Sequence, residues 1–327
     1  MTVLRTIVAL MVLSMAWPAM AADTLLRFGH AASSRHLFHD GLEMFARAVA
    51  EKTGGAVEIQ VHGDRQLGDD KQLLEGVQLG TIDGALVSSP TFPLAAGAEA
   101  ISALQLPFLV TSYDQMADLL TSEVAQKMLD SLSEKNMKGL GFYEAGLRHF
   151  LSRTKQVRTI EDFSGQKTRI VPIPLHKRTW EAVGANPIGM AYGEVYSGLE
   201  TGTIDAVEIN LSSIQTESLY QNAKYVTLTG HYFWPGVVVM NQAKFDALPE
   251  DVQQAIVEAG HETIRMHYEH ARNQEDETAE FLKSQGVTIG ELEDLETMKE
   301  RMEPILEEWA GKDPLIREFI DLARQGS

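Results

Sequence analysis

Hydrophobic and polar positions follow two different periods along this chain. Leu25-Leu26-Arg27-Phe28 is apolar enough for a strand and ends at Gly29-His30. Over 36–52 the period lengthens, and Leu37, Leu42, Phe45 and Val49 fall on one helical face. Thr53-Gly54-Gly55 stops that helix. Val57-Glu58-Ile59-Gln60-Val61 then alternates as a half-buried strand does. Strand, helix, strand with short connections predicts an α/β fold. Past Asn241 the pattern turns helical. Leu248-Pro249-Glu250-Asp251 opens a run to about residue 284, with Pro249 suited to a first turn. Gln285-Gly286-Val287 breaks it, and a helical tail begins near Leu292.

A repeat adds a second level. Gly80-Thr81-Ile82-Asp83-Gly84-Ala85 recurs as Gly202-Thr203-Ile204-Asp205-Ala206-Val207. Each copy follows a predicted helix (69–79 and 194–201) and precedes a strand-like stretch (85–87 and 207–209). Glycine at a helix end supplies a left-handed cap, so the setting recurs along with the letters. It predicts two similarly built lobes, and the period is too long for a solenoid.

The first residues carry Arg5, an apolar run from Thr6 to Trp17, and Ala19-Met20-Ala21. That run falls short of the roughly 20 residues a membrane span needs, and the pattern is expected to be a signal peptide over 1–21. Cysteine is absent, which excludes a disulfide framework and a lipid-bearing cysteine. The formal charge of −18 argues against nucleic acid, whose binding rests on phosphate neutralisation, and against anionic membrane surfaces. Against that background Arg148 to Arg178 holds eight basic residues and only Glu161 and Asp162. The run is either a solvated basic face or a local site for an anion.

Catalytic motifs fail. There is no Gly-x-Ser-x-Gly elbow and no Walker loop, and Glu144 stands where a dinucleotide pattern at Gly139-Leu140-Gly141 needs its last glycine. His261, His267 and His270 share a predicted helix and are expected on its solvated face, with no metal bound. His36 and His39 open a helix beside the first strand, where a ligand contact is more plausible. Arg169 lies in a short strand that ends at Pro172, among apolar neighbours. Its guanidinium needs an acceptor: a ligand carboxylate, held bidentately, or an internal Asp or Glu.

Several stretches together resemble the substrate-binding subunits of tripartite ATP-independent periplasmic (TRAP) transporters. They are 165–172, Trp180-Glu181-Ala182-Val183-Gly184-Ala185-Asn186-Pro187, Met190, Gly193-Glu194-Val195-Tyr196 and Gly202-Thr203-Ile204-Asp205. Gln66-Leu67-Gly68-Asp69, Leu106-Pro107-Phe108 and Leu248-Pro249-Glu250-Asp251-Val252-Gln253 fall in the same order. The resemblance implies a two-lobed α/β periplasmic binding protein fold, joined by crossing strands and a long helix, that closes on ligand. Expected bounds are 22–146 plus about 235–274 for one lobe, and 147–234 plus about 275–327 for the other. It implies Arg169 and Arg148 as carboxylate partners and Tyr192 as an aromatic wall. Asp70 and Ser88 are implied as first-lobe contacts, with Glu75 on the adjoining helix. Many members read Glu-Asn after the Gly-x-x-Asp turn. Here Glu208, itself an implied ligand contact, is followed by Ile209, and Asn210 takes the usual Asn contact only after a register shift.

The resemblance further implies a monomer in the periplasm that needs no cofactor and hands a small organic acid to the small and large TRAP membrane subunits. His36, Glu75 and Ser88 suit a polyol, which favours a sugar acid (uronate or aldonate). A C4-dicarboxylate, with Arg148 on its second carboxylate, is the alternative, followed by a keto or aromatic acid given Ile209 and Trp234. A periplasmic enzyme or a protein that presents ligand to a sensor are readings of other classes.

Overall fold

A computed structural model describes residues 24–326; the expected signal peptide lies outside them. Two mixed sheets carry the chain. With strands numbered along the sequence, the first runs β2 (Val57–His62), β1 (Thr24–His30), β3 (Gly84–Ser88), β10 (Pro235–Asn241), β4 (Met137–Glu144). The second runs β7 (Asn186–Gly189), β6 (Lys167–Ile170), β8 (Ala206–Asn210), β5 (Arg148–Ser152), β9 (Tyr225–Leu228), β11 (Thr288–Glu291). In both, three parallel strands (β2-β1-β3 and β7-β6-β8) are followed by an antiparallel one, β10 or β5. Each antiparallel strand is delivered by a crossing between lobes, so the two halves are topological copies.

The repeat in the sequence is the scaffold of that copy. The Asp70–Leu79 and Val195–Thr201 helices each end at a left-handed glycine, Gly80 and Gly202, both at φ 74°. Asp83 accepts the Arg27 backbone N–H at the start of the β1–β3 unit, and Asp205 accepts that of Lys167 at the start of β6. Gly76 and Gly198 leave room for Ile82 and Ile204. One short motif thus caps a helix, packs it and pins the neighbouring strand, twice.

Crossing segments 145–147 and 229–234 run side by side. Ala145 N–H donates to the Trp234 carbonyl at 3.1 Å and Arg148 N–H to that of Tyr232 at 2.9 Å. The Glu250–Ser284 helix packs on the Leu37–Lys52 helix and β4 at one end and reaches β11 at the other. It lies so close to β4 that a Cβ on Gly260 would sit 1.9 Å from the Leu140 carbonyl oxygen. No described helix is long and apolar enough to cross a membrane.

Two expectations need correction. His267 is buried, not solvated: its Nε2 donates to the Leu37 carbonyl at 2.8 Å, and its Nδ1 accepts the Glu144 N–H at 3.2 Å. The crossing of helix and strand there leaves backbone groups that only a buried side chain reaches. The tail is two helices, Leu295–Ala310 and Pro314–Gln325. The first packs on the Pro174–Ala182 helix of the second lobe, and the last on the Tyr113–Leu120 and Glu123–Ser131 helices of the first. Its buried Ile316, Phe319, Ile320 and Ala323 stripe meets an apolar surface of the first lobe, so 275–327 does not belong wholly to the second.

Candidate functional site

Between the lobes lies a cavity of about 420 Å³, walled from both sides. The second lobe contributes two arginines, each only 2% exposed. Arg169 sits mid-sheet on β6, between β7 and β8. Its Nε donates to the Met190 carbonyl at 3.0 Å. Among the described residues no carboxylate lies within ion-pairing distance of it, and its terminal nitrogens make no hydrogen bond. Burial pulls its pKa below the ordinary value, with Glu208 acting in the opposite sense. A buried guanidinium left in this state demands an anion.

Arg148, at the start of β5, differs. Its Nε donates to Glu208 at 2.7 Å, a second nitrogen donates to the Glu208 carbonyl, and its guanidinium lies 3.6 Å from the Trp234 ring centroid. Burial alone would raise the Glu208 pKa, but Arg148 and His231 outweigh it and hold that carboxyl well below the usual range. Glu208 therefore serves as the internal counter-ion of Arg148 and does not line the cavity.

The first lobe answers with polar groups. His36 caps the Leu37–Lys52 helix, its Nδ1 accepting the Phe38 N–H at 3.1 Å, and its Nε2 lies 3.0 Å from the Ser213 hydroxyl. Burial, with help from nearby His30 and His267, pulls its pKa down to about 3, so the ring is neutral at pH 7. Ser88, at the end of β3, donates to Asp70 at 2.6 Å. Burial, then the Asp69 charge, pushes Asp70 up to about 6. Tyr192 closes the rim, its hydroxyl donating to Ser213 at 3.1 Å while Arg65 stacks on its ring at 4.8 Å.

The lobes also meet directly. Arg65 pairs with Glu217 at 3.0 Å, Glu217 accepts the Ser33 N–H at 3.1 Å, and Asp69 accepts the Gly193 N–H at 3.2 Å. These contacts hold the two lobes together across the cleft, as a closed arrangement requires.

Of the sequence-predicted residues, Arg169, Arg148, His36, Ser88, Asp70 and Tyr192 meet at this cavity. Glu75 does not. It is exposed and lies 3.7 Å from Lys71, because five residues past Asp70 a helix has turned about 140° away. Asn210 is also absent from the lining. It shares the Glu208 face of β8, but its Nδ2 donates to the Ala145 carbonyl in the crossing segment. Ile209 points the other way into the core. The remaining basic run pairs mostly on the surface, as Lys155 with Asp162 and Arg178 with Glu308. Thr91 and Ser213 line the cavity and were missed. They fall three residues beyond the ends of the repeat-equivalent strands β3 and β8, so the repeat held a signal for them that the sequence reading did not use.

Residues 28–313 match the family described as "Bacterial extracellular solute-binding protein, family 7" (DctP). The chain belongs to this family of TRAP periplasmic solute-binding proteins. Its members bind solutes and are not catalysts, and their place is the periplasm. The chain is 31% identical over 271 residues to the 2,3-diketo-L-gulonate-binding periplasmic protein YiaO of Escherichia coli K12, covering 83% of this chain and 82% of that one. Its fold matches the sugar acid binding protein DctPAm of Advenella mimigardefordensis in complex with galactonate (TM-score 0.87, 26% identity, 94% of this chain and 100% of that one). It also matches a TRAP solute-binding protein of Sulfurospirillum deleyianum with bound succinate (TM-score 0.82, 26% identity, 91% and 98%). A sugar-acid binder and a succinate binder are thus equally identical to it, and overall similarity does not choose between their ligands.

Proposed function

We propose that this solute-binding protein captures a small organic acid, a sugar acid such as an aldonate or uronate, and delivers it to TRAP membrane subunits. The observation that carries this reading is Arg169, a buried cation without a carboxylate partner among the described residues, lining the cavity between the lobes. A ligand carboxylate completes it, and a charge-assisted bond of this kind contributes about 1.5–3 kcal/mol net. Desolvation in the closed cleft strengthens that contact, so ligand favours the closed over the open arrangement. His36, Ser88, Asp70 and Ser213 supply donors and acceptors suited to hydroxyl groups, and a galactonate binder and a diketogulonate binder are among the relatives, beside a succinate binder. The dicarboxylate alternative rests on the second arginine in the wall, Arg148.

The test is a thermal-shift panel of aldonates, uronates and C4-dicarboxylates on the mature protein, since a ligand that binds only the native state raises Tm. Sugar acids should stabilise the wild type most. If only dicarboxylates do so, the sugar-acid reading is wrong.

A further inference from the structure

The charges around the cavity are not evenly shared. Arg148 is already matched by Glu208 at 2.7 Å, so the second lobe offers one uncompensated cation, Arg169. From the opposite lobe the cavity is faced by Asp69 and Asp70 at the first turn of the Asp70–Leu79 helix. That helix end would otherwise attract an anion; here two carboxylates occupy it. Asp69 is spent on capping and on the Gly193 N–H. Asp70 accepts only from Ser88 and has no cation within ion-pairing distance among the described residues. Of the nearby cations Arg65 is paired with Glu217, Lys71 lines the cavity with an exposed side chain that lies 3.7 Å from Glu75 and makes no ion pair with Asp70, and His36 is neutral.

Resting on the organic-acid reading above, we infer that Asp70 determines substrate class: it accepts a hydroxyl from the ligand and rejects a ligand that brings a second carboxylate to its side of the cavity. The wall then fits a monoanion with an uncharged, hydroxylated far end. Two arginines by count act as one by charge, which removes the reason to expect a dicarboxylate.

The probe is a set of paired acids of equal length, aldonates against aldarates, which differ only in whether the far carbon is an alcohol or a carboxylate. Calorimetry on the wild type should show the aldonate favoured by about tenfold or more. Asp70→Asn should weaken the aldonate and narrow that ratio by about tenfold. A measurement without a variant reads the same residue. Because burial pushes Asp70 up to about 6, the wild-type discrimination should relax as pH falls from 8 to 5, while the ligands stay ionised. The titratable and charged groups around it are Asp69, Lys71, His36, Tyr192, Arg148 and Arg169 in the cavity lining, with Arg65 close by. An aldarate bound as tightly as its aldonate by the wild type overturns the inference, as does an unchanged ratio in Asp70→Asn or across pH. A wild type that binds no carboxylate overturns the organic-acid reading itself, a separate outcome.

Discussion

Arg148 and Arg169 lie in one cavity wall with equal burial, yet the sequence around them does not say that their charges are used differently. Arg148 is balanced inside the protein by Glu208, and both ends of that pair are buried. Removing one partner leaves a bare charge in the interior, so Glu208→Gln should lower stability by about 3–5 kcal/mol, measured by denaturant unfolding. A loss below about 1 kcal/mol would show that Arg148 finds another counter-ion. Arg169 was legible as a cleft residue from its strand, its apolar neighbours and the closing proline. Whether it met a carboxylate within the chain was not, because that depends on residues brought together only by folding. Glu75 failed for a local reason that helix geometry explains: it shares an element with Asp70 but not a face.

At the scale of elements the repeat was the most informative signal, and its physical content is now clear. Gly80 and Gly202 turn the chain, Ile82 and Ile204 pack under Gly76 and Gly198, and Asp83 and Asp205 hold the next strand. Periodicity located the first strands and helices to within a residue or two. It did not reveal β11 (Thr288–Glu291), a strand of four residues, or the break between the two tail helices, where pairing and docking outweigh local preference. Nor did it show that the long helix touches β4 backbone to backbone. Gly260 permits that approach, so Gly260→Ala should cost well above the ~1–3 kcal/mol typical of overpacking, or prevent folding. Thermal melting of the variant reads this directly, and a Tm within 2–3 °C (about 1 kcal/mol) of wild type would mean that the helix shifts without penalty.

For the whole molecule, buried ionisable groups set the response to pH. Burial holds His30, His36 and His176 near 3, and His231 and His267 near 4. Unfolded, each takes up a proton near 6.5, so the unfolded state gains protons as pH falls from about 6.5 toward 4, and stability drops. Asp70 and Glu144 oppose this. Burial pushes them up to about 6 and about 7, so the native state holds their protons and gains stability over about pH 7 to 4. Five groups against two leave a net loss on acidification, and Tm should be lower at pH 5 than at pH 7.5. An equal or higher Tm at pH 5 would show that these histidines are not neutral and buried.

On the proposed reading, a single unpaired cation in the cleft between the lobes, Arg169, holds the ligand carboxylate. Calorimetric titration of the best-binding acid into wild type and Arg169→Ala tests it most directly, with far-ultraviolet circular dichroism to show that both are folded. The variant should remain folded, with its affinity lower by about tenfold to a hundredfold or more. A folded Arg169→Ala that binds the acid as tightly as wild type would contradict it.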